Sequence, residues 1–192
     1  MFTKNTISLE HPIRDLFREA LEFGLKITPP DKAEVAAYIE EQILCEFISA
    51  GNLYRIRDVS GKSLENIADM LLEGNVLLNA NSFEREFHVH KHIGDYTLFM
   101  LSMFPSSLVS KKGTEFVLGK LVIPDASLSE HYMLQGQRSY RIAAEFENKE
   151  LFQELASNFS LYKNILELVR IYLESAGRED FDDAKDIIAG TA

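Results

Sequence analysis

The sequence predicts an all-α protein, a bundle of five to seven helices forming one domain over residues 1–177, with an acidic tail at 178–192. Three observations carry that expectation. Five segments place apolar residues three and four positions apart, the spacing that gathers them on one helix face. The 192 residues include only ten glycines and five prolines, which fall mostly between those segments. Hydrophobic residues make up 46% of the chain, an ordinary globular share that excludes wholesale disorder. This length suffices to bury about 70% of the surface the unfolded chain exposes, and no repeat of a solenoid kind is visible.

The first helix is expected from Pro12 to Ile27. Proline suits its first position, Ile13, Leu16, Phe17, Ala20, Leu21 and Gly24 share a face, and Pro29-Pro30 stops it. The second is expected after Asp31, with Glu34 completing a capping box. Val35, Ile39, Ile43 and Phe47 form its stripe, and Gly51-Asn52 a left-handed end. Tyr54 to Val59 alternates as a short extended piece without an obvious partner. Ser63 then reads as an N-cap for a helix carrying Leu64, Ile67, Ala68, Leu71 and Leu72. The fourth helix, Phe83 to Phe104, is closed by Pro105. Residues 115–123, with apolar runs on either side of Gly119-Lys120, read better as a β-hairpin than as a loop. A fifth helix is expected from Leu128 to Phe146, with a small-residue seam of Gly136, Ser139 and Ala143. The last runs from Lys149 to Ser175, with Phe152, Leu155, Phe159, Tyr162, Leu166, Val169 and Leu173 on a 3.5-residue repeat suited to nearly parallel packing.

Composition excludes several classes of partner. A net charge of −10 speaks against nucleic acid and against anionic membranes, both of which need clustered Lys and Arg. The longest apolar stretch, Tyr96 to Phe104, is far shorter than the ~20 residues of a membrane span. Cys45 is the single cysteine, so an intramolecular disulfide and a cysteine-rich zinc site are both ruled out. Its apolar neighbours predict an inert packed thiol. The first residues carry no apolar run of the secretory kind, and the expected compartment is the cytoplasm.

Candidate chemistry concentrates on the fourth helix, where three of the five histidines fall between positions 88 and 92. At 100° per residue, Glu84, His88, His92 and Asp95 share one narrow face. Histidines four apart can reach one metal ion, and a carboxylate a turn away can complete the set. The motifs of zinc proteases and of di-iron bundles are absent. The same wheel favours a plainer outcome: Phe83, Phe87, Ile93, Leu98 and Leu101 lie opposite, so the histidine face points to water between Arg85 and Lys91. Glu86 and His90, also four apart, project toward the apolar side. They read as a satisfied polar pair or, alternatively, as the acid–base pair of an internal pocket. Arg138 and Arg141 on the fifth helix could clamp an anionic ligand, although a surface salt bridge such as Arg141 with Glu145 is the commoner use. No phosphate-cradling glycine loop, nucleophile elbow or kinase motif occurs.

The triplet Ile93-Gly94-Asp95 in a histidine-bearing helix resembles haem-oxygenase-like helical proteins. The resemblance covers those three residues, and the glycine run such enzymes place over haem is missing. It assigns no family. The favoured functional expectation is therefore a helical binding or self-assembling module. The alternative is a metal- or haem-dependent helical-bundle enzyme using His88, His92 and Asp95, with a divalent metal or haem as cofactor. A homodimer is expected as well, because Leu151, Ile165, Leu168 and Tyr172 widen the apolar circumference of the last helix beyond one bundle face.

Overall fold

The sequence periodicities resolve into helices in a computed structural model that describes residues 12–29, 32–47, 50–75, 82–110, 116–117, 121–122 and 125–175. In order these are α1 (Pro12–Ile27), α2 (Ala33–Tyr38), a π-helical segment (Ile39–Leu44), α3 (Cys45–Phe47), α4 (Ala50–Leu53), α5 (Ile67–Glu73), α6 (Phe83–Met103), α7 (Pro105–Ser110), α8 (Asp125–Ala143), α9 (Lys149–Ser157) and α10 (Phe159–Ser175). Between α7 and α8, β1 (Phe116–Val117) pairs antiparallel with β2 (Leu121–Val122), Phe116 opposite Val122, inside the expected hairpin. The turn between them and the tail after residue 175 lie outside the described residues. Among the described residues no helix is long and apolar enough to cross a membrane.

The bundle is organised around α6, which packs against α8, α10, α5 and the π segment, while α1 lies along α10. Every residue from His92 to Phe104 is buried, so the second half of α6 is surrounded on all sides. The small-residue seam of α8 explains how two helices come so close. Gly136 faces Thr97 and Phe159, and a Cβ there would collide with both. Ser139 meets His90, and Gly94 on α6 gives way to the ring of Tyr140, 2.5 Å from where a Cβ would stand. The stripe of the last helix is buried throughout, as its repeat requires. The helix itself breaks at Asn158, whose backbone leaves helical geometry, and so forms α9 and α10.

The ends of several elements differ from expectation for local reasons. The capping position of α2 is Lys32, in extended conformation and without a side-chain cap, while Asp31 lies outside the described residues. Gly51-Asn52 does not end a helix in a left-handed turn but belongs to α4. There the Asn52 amide donates to the Glu46 carbonyl at 3.0 Å. Asn66, not Ser63, caps α5, its side chain accepting from the Asp69 N–H at 3.1 Å. Ser63 instead supplies the partner that the 54–59 strand lacked. Arg57 bridges to Ser63 across a tight loop turning at Gly61 (φ 85°), with Leu64 N–H donating to the Ile56 carbonyl at 2.8 Å.

The π segment widens the second helix. Cys45 N–H reaches back five residues to the Glu40 carbonyl, and Ile39, Ile43 and Leu44 are all buried. Such insertions often mark functional positions. Tyr38, Gln42 and Glu46, each four residues from the next across this segment, line a single cavity wall.

The extra apolar residues of the last helix are consumed inside the chain. Ile165 is fully buried and packs with Leu168 against Gly24 of α1. Tyr172 meets the Phe23 ring at a tilt, centroids 5.3 Å apart, and donates to Glu19 at 2.7 Å, and Leu151 is buried. That circumference therefore supplies no argument for a second copy.

Candidate ligand site

A cleft of about 630 Å³ opens beside the first half of α6, within the ~300–1,000 Å³ range of small-molecule sites. Four stretches of chain build it. α6 contributes Arg85, Phe87, His88 and Lys91. The π-widened helix contributes Tyr38, Gln42 and Glu46. α4 and the extended piece after it contribute Gly51, Asn52, Arg55, Ile56 and Arg57, and the α8–α9 turn with the start of α9 contributes Glu147, Asn148 and Phe152. Asn148 stands in the left-handed conformation (φ 46°), which asparagine tolerates better than most residues, so α9 starts abruptly beside the cleft.

Three of the four cations on this wall are ion-paired. Arg55 pairs with Glu46 at 2.9 Å, and Arg85 lies 3.5 Å from Glu73 while donating to the Arg57 carbonyl at 2.8 Å. Lys91 pairs with Asp95 at 2.8 Å and lies over the Tyr38 ring, 5.1 Å from its centroid. Arg57 donates to the Gly61 carbonyl at 2.8 Å, and among the described residues no carboxylate pairs with it. Glu73 and Asp95 do not border the cleft; they fix the cations' positions from beneath it. Side chains locked in this way lose little freedom when a ligand arrives.

Asp95 is the anchor of the arrangement. It is fully buried, and its Oδ1 accepts from the hydroxyls of Tyr38 at 2.8 Å and Tyr140 at 2.9 Å, while Oδ2 takes the Lys91 ammonium. A buried carboxylate is tolerable only with such partners. Burial and the neighbouring Asp95 charge push both phenols well above the usual tyrosine range, so they remain protonated donors.

The quartet expected to share a metal ion is divided among three environments. Glu84 and His88 are exposed, 3.8 Å apart, with His88 at the cleft's edge. His92 lies in the core between Phe47 and Tyr96, its Nε2 3.1 Å from the Leu53 carbonyl. A carbonyl only accepts, so Nε2 carries the proton. Burial and the nearby Arg55 and Lys91 charges hold the ring neutral, its proton affinity well below normal. Asp95 turns to the two tyrosines and Lys91. Among the described residues no three His, Cys, Asp or Glu side chains converge as a metal site would require. The wheel placed these residues on one stripe correctly, but the helix plunges into the core halfway along, and the stripe changes surroundings there. The expectation of a solvated face thus fails for His92 and Asp95, and Phe83, assigned to the apolar side, is exposed.

The second expected pair also separates. His90 is buried, and its Nδ1 lies 3.3 Å from Ser139 Oγ on α8, so it pairs with Ser139 rather than with the half-buried Glu86. Burial, helped by Arg138, lowers the His90 pKa to about 4. Arg138 and Arg141 are exposed on α8, and neither lines the cleft. Cys45 is buried, and burial raises its thiol to about 11, in keeping with an inert side chain.

Sequence reasoning missed Arg55, Arg57 and Tyr38, and read Arg85 and Lys91 as flanks of a solvated face. A signal was present in the alternation Tyr54-Arg55-Ile56-Arg57, which puts both arginines on one side of an extended piece while Ile56 is buried. No protein-family model, curated protein or solved structure matches this chain.

Proposed function

We propose that the protein is a cytoplasmic helical binding module whose cleft holds a small organic anion with an apolar or aromatic body. One observation carries this reading. In a chain of net charge −10, Arg55, Arg57, Arg85 and Lys91 converge on one cavity that Glu46 and Glu147 also line. Arg55, Arg85 and Lys91 are ion-paired with Glu46, Glu73 and Asp95, Arg57 turns to a carbonyl, and Tyr38, Phe87 and Phe152 supply an apolar wall. Guanidinium groups are suited to carboxylate and phosphate oxygens, and the rings give an attached body somewhere to lie.

A thermal-shift panel tests the reading. Benzoate, 1-naphthoate and phenyl phosphate should raise the melting temperature in a saturable way, and benzyl alcohol and naphthalene methanol should not. Ligand that binds only the native state stabilises in proportion to RT ln(1 + [L]/Kd), so about 3 kcal/mol is expected at a hundredfold excess over Kd. Equal effects of neutral and anionic probes would remove the role given to the cations. The homodimer remains a separate proposal. It would draw on the exposed Phe23, Ile27 and Ile171 of α1 and α10, and light scattering at micromolar concentration decides it.

A further inference from the structure

The apolar wall of the cleft does not stop at its mouth. Tyr38 meets Phe152 edge-on at 5.8 Å, Phe152 meets Phe87 at 6.0 Å, Phe87 meets Phe146 at 6.4 Å, and Phe146 meets Phe83 at 6.2 Å. The run begins beside Asp95, where Tyr38 is hydrogen-bonded, and ends in solvent. Phe146 is 36% exposed and Phe83 is 67% exposed. Single exposed rings are ordinary on protein surfaces, but a contiguous pair continuing the lining of a cavity is a track for something apolar. Arg55, Arg57, Arg85 and Lys91 line the cleft together with Phe87 and Phe152, so the ring track leaves from the wall that carries the cations.

Charge sharpens the choice of occupant. A chain of net charge −10 repels anions at long range, so a bare small anion meets an unfavourable field before it reaches the arginines. An apolar tail offsets that repulsion by a contribution that does not depend on charge. Resting on the reading of the cleft as an anion site, we propose that its ligand is a free amphiphilic anion of the acyl carboxylate class. The head meets Arg55, Arg57, Arg85 and Lys91, and the tail leaves along Phe87 toward Phe146 and Phe83. An anionic bilayer is disfavoured as the source of the head group by the same net charge.

Titration of the full chain with sodium butanoate, octanoate, decanoate and dodecanoate, each below its micelle concentration, tests the proposal. Each buried methylene should tighten binding by about fourfold, or roughly fifteenfold for every two. Dodecanol, lacking the charge, should bind more weakly than dodecanoate. The F83S/F146S variant should retain octanoate binding and lose the gain from longer chains. Because Phe83 is mostly exposed, F83S alone gives the same comparison if the double variant does not fold. Anions that bind with no dependence on chain length would overturn the amphiphile while leaving the anion site standing. A chain-length dependence unchanged in F83S would place the tail elsewhere and overturn the track. Binding to phosphatidylglycerol vesicles without binding of free dodecanoate would overturn the free ligand in favour of a bilayer. No binding of any probe, butanoate and benzoate included, would overturn both the inference and the anion site beneath it.

Discussion

Replacing Asp95 tests whether the buried carboxylate organises the interior. The residue is fully buried and accepts from Tyr38, Tyr140 and Lys91, at 2.8, 2.9 and 2.8 Å. In D95A the buried Tyr140 phenol, the half-buried Tyr38 phenol and an ammonium lose their acceptor together. Stranding one buried donor costs about 1–3 kcal/mol, and breaking a buried ion pair from one side about 3–5 kcal/mol. These losses share one cause and do not add, so the expected cost is about 4 kcal/mol, a large part of the ~5–15 kcal/mol that holds an ordinary domain folded. D95N preserves the shape and one acceptor oxygen but sets an amide donor against Lys91, and should cost about 2–3 kcal/mol. Y140F removes a single donor from a carboxylate that keeps two others, and should cost about 1 kcal/mol. Urea denaturation with circular dichroism measures all three. In D95N, adding K91M should recover at least about 1 kcal/mol, since the uncompensated ammonium is then gone. A D95N cost below about 1 kcal/mol, or no recovery with K91M, would refute the anchoring role.

Three further outcomes follow from the packing and the titrating groups. G94A drives a Cβ into the Tyr140 ring across the α6–α8 contact and should cost about 1–3 kcal/mol by denaturation, more than G61A, where strain alone (φ 85°) acts in open space. The two buried histidines should make the fold acid-sensitive. The pKa of His90 falls from 6.5 to about 4 on folding, and burial also lowers that of His92 well below its usual value. Above pH ~6.5 both states are neutral and stability is intact; below it the unfolded chain gains protons the native state refuses, and stability declines toward pH 4. H90Q should flatten that decline by about 3 kcal/mol across the window, as read from urea midpoints at stepped pH. Finally, H88A should leave stability within about 0.5 kcal/mol, whereas H92A, which empties a core site hydrogen-bonded to Leu53, should cost about 2 kcal/mol or more. Equal effects of the two would contradict the division of the histidine stripe.

Much of the fold was legible because it rests on patterns local to each segment. The stripe from Phe152 to Leu173, the seam of Gly136, Ser139 and Ala143, and the stop at Pro105 are each written in residues a few positions apart. What escaped depends on the rest of the chain. Asn66 outcompetes Ser63 as a cap because Ser63 is already paired with Arg57. The break at Asn158 interrupts a repeat that periodicity alone would continue. The histidine stripe was read as one surface, although the packing of Leu53 and Phe47 over His92 divides it. The cleft was beyond reach for the same reason. It joins residue 38 to 57, 91 and 152, positions that only the tertiary packing of separate elements brings to one cavity.

The most direct measurement is calorimetric titration of 1-naphthoate into the native chain and into R57A/R85A at low and at physiological salt. The cations are the stated source of affinity. The native chain should therefore bind one equivalent, more weakly as salt rises, and the double variant should lose at least about tenfold, one charged hydrogen bond being worth ~1.5–3 kcal/mol. Both substitutions fall on partly exposed side chains, so a matching denaturation midpoint confirms that the fold survives. Binding of equal strength in R57A/R85A, or no binding to the native chain at millimolar naphthoate, would contradict the assignment of this cleft as an anion site.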